Sequence, residues 1–400
     1  MSNGLVASMN AMRGDQGLNT VLSRSGQIAE QNFTGQQTED ESKRMDKQIL
    51  LSRLSNAIDT LKCLLEERLR GRRVAFSECF SLAPFANSTP RGRGKIERVL
   101  YVLHRSVGLI RRGEFISLRQ LYYESELFRS QRISDDVVVL ACAFVGLPRY
   151  KLGFLASHSG YLFGGSPQTR DSDGVYHGLY YRTQLNPAWK LIKQPLEIND
   201  EFAFADGLEF KSTRPIRSIV VVEKETIFRQ LRTELFCEKT SSIIITGGGQ
   251  PSVAARACLF YIRRDVPRIT GTFGVCDYNP SGFYIMQTWM YSTPIWNELA
   301  KLEDYKLSCV TLKVIGLRAR HVRENDRRRP HAVVKKKFTD LDRSKMRKLK
   351  ERLTKKGKVD FVREIELMEQ YGHSIELDHI NYITLACLIQ QAILRKQYLL

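Results

Sequence analysis

The chain has 400 residues, 42% of them hydrophobic, enough for a sizeable core and for two or three domains. Its 62 Lys and Arg against 43 Asp and Glu leave a formal charge of +19, so the expected partner is a polyanion, nucleic acid before an acidic membrane surface. No run approaches ~18 apolar residues, residues 1–48 lack a signal-peptide core, and the eight cysteines are scattered without a C-x-x-C pair. These features set aside a membrane-spanning protein, a disulfide framework and a zinc ribbon, and point to an intracellular protein with reduced cysteines.

Residues 1–45 are rich in Ser, Gly, Asn, Gln and Thr and hold too few large apolar groups to offset the entropy of ordering, which predicts a disordered tail. Over 46–94, Leu50, Leu54, Ile58, Leu61, Leu65 and Leu69 recur at spacings of three and four, so a long amphipathic helix is expected. Its apolar face suits packing on its own domain and docking of a second protein equally. A linker follows from Phe76 to Gly94, punctuated by Pro84 and Pro90.

Residues 95–180 read as a compact helical domain ending in a small β-element. A helix is expected from Ile96 to Leu109, closed by Arg111-Arg112-Gly113. Ser134-Asp135-Asp136 is placed to cap a second helix over Val137–Val145, which Gly146 and Pro148 stop. The basic stretch Arg149-Tyr150-Lys151 and then Tyr161-Leu162-Phe163 complete helix, turn, short helix and hairpin, the outline of a winged-helix DNA-binding module.

A different grammar fills 181–400. The β-branched run Ile219–Val222 ends in Glu223-Lys224-Glu225, Ile243–Ile245 ends in Thr246-Gly247-Gly248-Gly249, and Gly274-Val275-Cys276 ends in Asp277-Tyr278-Asn279-Pro280. Helical stretches over 226–236 and 252–263 separate them. Strands alternating with helices predict a parallel sheet, whose functional groups collect at the strand carboxyl ends. From about Lys337 the chain reads as helical, with Val362–Met368 and Ile380–Leu394 as its apolar segments. Between Lys313 and Lys358, 19 Lys and Arg face 5 Asp and Glu. There Arg327-Arg328-Arg329, Lys335-Lys336-Lys337 and Lys355-Lys356 read equally as a solvated face, as a nuclear-import signal or as a rim that contacts phosphates.

Two groups of residues could carry chemistry. A lone acid at a strand end is more often a cap or a solvated group. Here Glu223 and Asp277 end two strands of one sheet, with Glu225 and Asn279 two residues beyond, and such gathered oxygens suit Mg²⁺. Gly247-Gly248-Gly249 could offer backbone amides to a phosphate but lacks P-loop spacing. The second group is Arg119-Gln120-Leu121-Tyr122-Tyr123-Glu124. One tyrosine among 16 is an improbable nucleophile. On a helix, however, Arg119 shares a face with Tyr123, and a guanidinium can stabilise the phenolate of a group whose pKa is ordinarily near ~10.

Leu118-Arg119-Gln120-Leu121-Tyr122-Tyr123 resembles the tyrosine motif of the A subunit of topoisomerase VI and of the related eukaryotic meiotic double-strand-break transesterase. Pro148–Ser157 followed by Gly160 resembles that family's DNA-reading helix and its turn into the wing. Ile219–Glu225 is similar to its first Toprim strand, Thr246–Pro251 to its glycine-rich turn, and Asp277-Tyr278-Asn279-Pro280-Ser281-Gly282 to its aspartate-x-aspartate-proline-x-glycine signature, with Asn279 in place of the second aspartate. The motifs run in the same order from about residue 95 onward.

The resemblance implies a mixed α/β chain, a winged-helix (CAP-like) domain followed by a Toprim α/β domain with a helical C-terminal extension. It implies Tyr123 as the nucleophile, assisted by Arg119, with Mg²⁺ on Glu223, Asp277 and Asn279, and double-stranded DNA as the substrate. It further implies a homodimer in which Tyr123 of one protomer meets the metal site of the other, leaving 5′-phosphotyrosyl ends. A nuclear enzyme that starts meiotic recombination, assisted by meiotic accessory proteins and a B-type subunit, is the leading expectation. The alternatives are the A subunit of a strand-passing, ATP-dependent type IIB topoisomerase and an inactive DNA-binding scaffold. Arg149, Lys151, Lys335, Lys336 and Lys337 are the expected DNA contacts.

Overall fold

A computed structural model describes residues 44–67, 69–70, 90–156, 160–165, 178–291, 307–319, 322, 335–379 and 384–399. The expected tail, up to residue 43, and the triplet Arg327-Arg328-Arg329 lie outside the described residues, as does most of the linker. The described chain forms two compact units that divide between Arg112 and Gly113.

The first unit contains α1 (residues 44–67) and α2 (Pro90–Arg112). In α1 the buried residues are Leu54, Ala57, Ile58, Leu61 and Leu64, one stripe at helical spacing. In α2, Ile96, Val99, Val102, Leu103 and Leu109 form the matching stripe. Each Leu, Ile or Val among them taken from water contributes about 1.5–3 kcal/mol. Lys47 Nζ near the start of α1 donates to the Arg111 carbonyl at 3.0 Å, which sets a cation at the negative end of α2. α2 begins at Pro90, inside the stretch expected to be linker, because proline is well suited to the first helical turn.

The second unit opens with β1 (Ile116–Ser117), α3 (Leu118–Tyr123), α4 (Gln131–Val145), a 3₁₀ turn (Arg149–Leu152) and β2 (Phe154–Leu155), with β1 and β2 paired in parallel. Ser117 caps α3 through the Gln120 amide, and Ser130 caps α4 through the Ile133 amide. α4 therefore starts at Gln131, ahead of the expected cap: Ser134 is buried inside the helix, and Ser130 outcompetes it because its own backbone is extended.

A six-stranded sheet is the centre of the unit. Its strands are β3 (Tyr161–Phe163), β6 (Leu196–Glu197), β8 (Ser218–Val222), β9 (Ser242–Thr246), β10 (Gly271–Cys276) and β11 (Lys313–Gly316). The order is β11-β10-β8-β9-β3-β6, parallel through the first four and antiparallel at β3 and β6. β8 and β9 are buried at every residue, which is why they read as unbroken β-branched runs. Tyr161–Phe163, expected in the hairpin of a wing, instead belongs to this sheet beside β9. Its apolar side chains Leu162 and Phe163 are buried in the sheet's core, burial that a solvent-facing wing could not provide.

Between these strands lie β4 (Leu179–Arg182), β5 (Lys190–Leu191) and β7 (Glu209–Ser212), a small antiparallel sheet, with α5 (Asp200–Ala203). The crossovers of the main sheet are α6 (Glu225–Thr233), α7 (Phe236–Thr240), α8 (Val253–Asp265) and α9 (Pro280–Tyr291). Near the C-terminus β12 (Lys335–Lys337) precedes α10 (Asp340–Thr354) and α11 (Val359–Tyr371), and β13 (His373–Ile375) precedes α12 (Leu385–Leu394). The triple-lysine run is thus a strand paired with β13, not a free loop. No described helix is long and apolar enough to cross a membrane, and seven of the cysteines are free.

Candidate functional site

β8, β9 and β10 end in register: Val222 pairs with Thr246 on one side and Val275 on the other. The residues that follow must therefore emerge together. Glu223 leaves β8 with its amide bonded to the Val275 carbonyl at 3.0 Å, and its Oε2 accepts the Asp277 amide at 3.0 Å. Asp277 Oδ1 accepts the Leu377 amide at 2.9 Å, while Oδ2 meets Lys224 Nζ at 2.7 Å. The two carboxylates are only 7% and 2% exposed. Burial, and after it the negative charge of Asp277, pushes the Glu223 carboxyl up to about 7. Burial also raises Asp277, outweighing the opposing pull of the Leu377 amide and Lys224.

Glycine chemistry makes this approach feasible. A Cβ on Gly282 would fall 2.8 Å from both Glu223 Oε2 and the Asp277 carbonyl, so only glycine lets the first turn of α9 close over the acids. Asn279 Oδ1 accepts the Gly282 amide at 2.7 Å, as an N-cap does, and is half-buried. The glycine-rich turn after β9 is committed internally. Gly249, at φ +118°, donates its amide to the Glu223 carbonyl at 2.8 Å, and the Gly248 amide goes to Thr246 Oγ1 at 3.1 Å. The first amide braces the end of β8 and the second the end of β9, so both are engaged within the chain.

Two acids that nothing in the sequence singled out complete this end of the sheet. β13 docks on the Asp277–Asn279 segment through reciprocal backbone bonds between Tyr278 and Ile375 at 2.9 and 3.1 Å. The chain then delivers Glu376 and Asp378 to Lys224 Nζ, at 3.2 and 3.3 Å. Burial works against the charge on Lys224, yet its bond to Asp277 prevails and holds it above the usual lysine range. Glu376 also accepts from Lys336 Nζ at 2.7 Å, and Lys336 first, Lys224 second, draws its carboxyl down to about 2. Their only sequence cue would be spacing after a β-strand too short to recognise.

Glu223 and Asp277 are hard oxygen donors with no histidine among them. Among the described residues no three His, Cys, Asp or Glu side chains already form a metal cluster. That donor set fits Mg²⁺, which binds through one or two carboxylates and keeps several waters, better than an ion needing an all-protein cage.

Tyr123 stands elsewhere, on α3, with its ring 68% exposed. Arg119 Nε donates to Tyr123 Oη at 3.4 Å, and this contact raises the Arg119 pKa. Tyr122 tilts against Tyr123 with 5.0 Å between ring centres, and Gln120 Nε2 donates to Glu124 Oε1 at 3.3 Å. The expected helix and its shared face are both present.

The expected DNA contacts separate. Arg149 binds Asp200 through Nε at 2.8 Å and Nη2 at 2.9 Å, with the aspartate fully buried and also accepting the Ala156 amide. It is a brace between the 3₁₀ turn and α5, and no local pattern of residues signals its partner. Lys151 is exposed, with Nζ 5.5 Å from the Tyr150 ring centre. Lys336 is held by Glu376, Lys335 Nζ lies 5.7 Å from the Tyr371 ring centre, and Lys337 is exposed.

Residues 218–397 match the family model for the Toprim domain of Spo11 and of the A subunit of topoisomerase 6, and residues 94–154 match the model "Type IIB DNA topoisomerase". The chain is 24% identical over 298 residues to meiotic recombination protein SPO11-2 of Oryza sativa subsp. indica, covering 73% of this chain and 71% of the relative. It is 26% identical over 299 residues to meiotic recombination protein spo-11 of Caenorhabditis elegans, covering 73% and 63%. It is 26% identical over 303 residues to the A3 subunit of DNA topoisomerase 6 of Oryza sativa subsp. indica, covering 75% and 62%. With a Toprim-type sheet in a mixed α/β fold and both matches in order along one polypeptide, the chain belongs to the family of Spo11 and the topoisomerase 6 A subunit.

Proposed function

We propose that this chain breaks both strands of DNA by transesterification in the nucleus, with Tyr123 as nucleophile, and so initiates meiotic recombination. The observation that carries the reading is the Arg119 guanidinium on the phenolic oxygen of an exposed Tyr123. Tyr123 Oη attacks the phosphorus, the bond to the 3′-oxygen breaks, and the 5′-phosphate stays on the tyrosine. The phenol loses its proton, the departing 3′-oxygen gains one, and one ester replaces another, so the step needs no outside energy source. Arg119 stabilises the phenolate and the charge that builds on the phosphoryl oxygens.

Glu223 and Asp277, with Asn279 acting through its remaining amide capacity, are the residues to hold Mg²⁺. The ion would supply Lewis-acid stabilisation of the leaving oxygen. Tyr123 finds its partners on its own helix, and the acids find theirs at the sheet end. In the homodimer that the family implies, each tyrosine serves the acids of the second copy. The winged-helix role is assigned to α3, α4 and the 3₁₀ turn, without Tyr161–Phe163. Lys151 and Lys337 are the cations best placed for phosphates, and a B-type subunit is the expected partner. The test is recovery of protein-linked 5′ ends from cells. Tyr123→Phe abolishes them while DNA binding persists; persistence of the linked ends in that variant excludes the mechanism.

A further inference from the structure

We propose that Lys224 is the resident second cation of the acidic site, clamped there by Glu376 and Asp378, so that the site takes one divalent ion rather than two. This deepens the divalent-ion reading above and rests on it.

Four observations converge. Lys224 Nζ lies 2.7 Å from Asp277 Oδ2, the oxygen the Leu377 amide leaves open, so one lone-pair face of a central carboxylate is already engaged by a positive charge. The ammonium is held from two further directions by Glu376 and Asp378, more than 150 residues away in sequence, and those acids are fixed by the Tyr278–Ile375 backbone pair. Three carboxylates converge on a lysine nitrogen, an arrangement built to retain a cation.

The charge balance agrees. With all four carboxylates ionised, Glu223, Asp277, Glu376 and Asp378 face two ammonium groups, Lys224 and Lys336, and the two negative charges left over are what one divalent ion balances. Finally, the position where a second ion would expect another carboxylate holds Asn279, neutral and with its oxygen on the Gly282 amide. Paired divalent ions about 3.5–4 Å apart need bridging anionic oxygens to offset their mutual repulsion. This site has instead placed a monovalent, covalently tethered charge against Asp277. A lysine there contributes fixed positive potential at the reacting phosphate and cannot dissociate.

The test counts Mn²⁺ on the full-length chain by calorimetry and by electron paramagnetic resonance, with no DNA and no turnover. The wild type binds one Mn²⁺ per chain and shows no Mn–Mn coupling. Lys224→Gln binds two, or binds its first ion about tenfold or more tightly, because a nearby positive charge is gone. Lys224→Arg keeps one. Two ions on the wild type overturn the proposal, as does a Lys224→Gln variant with unchanged number and affinity. If Lys224→Gln does not fold, the wild-type count together with Lys224→Arg decides. Asp277→Ala separates the two readings. Wild-type binding that Asp277→Ala leaves intact, or no binding at all, removes the divalent-ion reading itself. Binding that Asp277→Ala abolishes but Lys224→Gln does not alter removes only the role of Lys224.

Discussion

The tyrosine helix and the acidic end of the sheet are built on opposite principles. α3 is six residues long, and its chemistry is local: Ser117 caps it, and Arg119 meets Tyr123 one turn later because side chains four apart share a face. The acidic end is assembled from the ends of β8 and β10, the first turn of α9 and the segment after β13, with Glu223 and Asp277 shielded from water. The exposed group can be altered with little effect on folding, whereas each member of the buried group holds its neighbours.

The largest stability effect is expected at the Arg149–Asp200 brace, which belongs to neither region but is buried like the acidic end. Asp200→Ala leaves the Arg149 guanidinium, 13% exposed, without its carboxylate and lowers unfolding free energy by about 3–5 kcal/mol in denaturant titration. Tyr123→Phe changes it by less than about 0.5 kcal/mol. Equal effects would dissolve the distinction. They would also return Arg149 to the role of a DNA contact.

Gly282→Ala probes the buried group next. The new methyl must displace the Glu223 carboxylate or the turn of α9, so Mn²⁺ affinity falls about tenfold or more, with a loss of stability of about 1–3 kcal/mol. Unchanged Mn²⁺ binding would place the ion away from Glu223.

How much of this was legible beforehand follows from the same contrast. The parallel strands showed themselves as β-branched runs because both faces of β8 and β9 are buried, and the acids stood out because Glu223 follows β8 and Asp277 follows β10. Arg119 and Tyr123 were readable because a single helical turn relates them. Glu376, Asp378 and Asp200 were not, since each acquires its meaning from a partner 50 or more residues away. The placement of Tyr161–Phe163 was hidden for a related reason. A three-residue strand has too few side chains to say whether it faces water in a hairpin or the core of a larger sheet.

Titration gives an effect of comparable size. With no metal bound, Glu223 is protonated more readily in the folded chain, at about 7, than its ordinary value of 4.5 allows in the unfolded one. Its contribution to stability is therefore fully present below about pH 4.5 and is lost as pH rises through about 7, a change of order 3 kcal/mol at most. Thermal unfolding of the metal-free chain between pH 5 and 8 shows that decline, and Glu223→Gln flattens it. Mn²⁺ binding below pH 7 releases a proton from the wild type and not from the variant. A wild-type slope identical to that of Glu223→Gln contradicts the buried, charge-crowded setting of this acid.

The smallest effect belongs to the basic strand. Lys337→Ala lowers the salt dependence of DNA binding by up to about one unit of slope, one phosphate contact. Lys336→Ala, whose ammonium is occupied by Glu376, changes the slope less. The reverse ranking would show that DNA draws Lys336 away from Glu376.

The most direct measurement of the whole account is the chemical identity of the protein–DNA link. The purified chain, incubated with duplex DNA and Mn²⁺, then digested with protease and nuclease, yields one nucleotide-bearing peptide for mass spectrometry. The account predicts a 5′-phosphodiester on Tyr123, absent from Tyr123→Phe and from Asp277→Ala. An adduct on Tyr122 or any other residue, or one that survives in Tyr123→Phe, contradicts it.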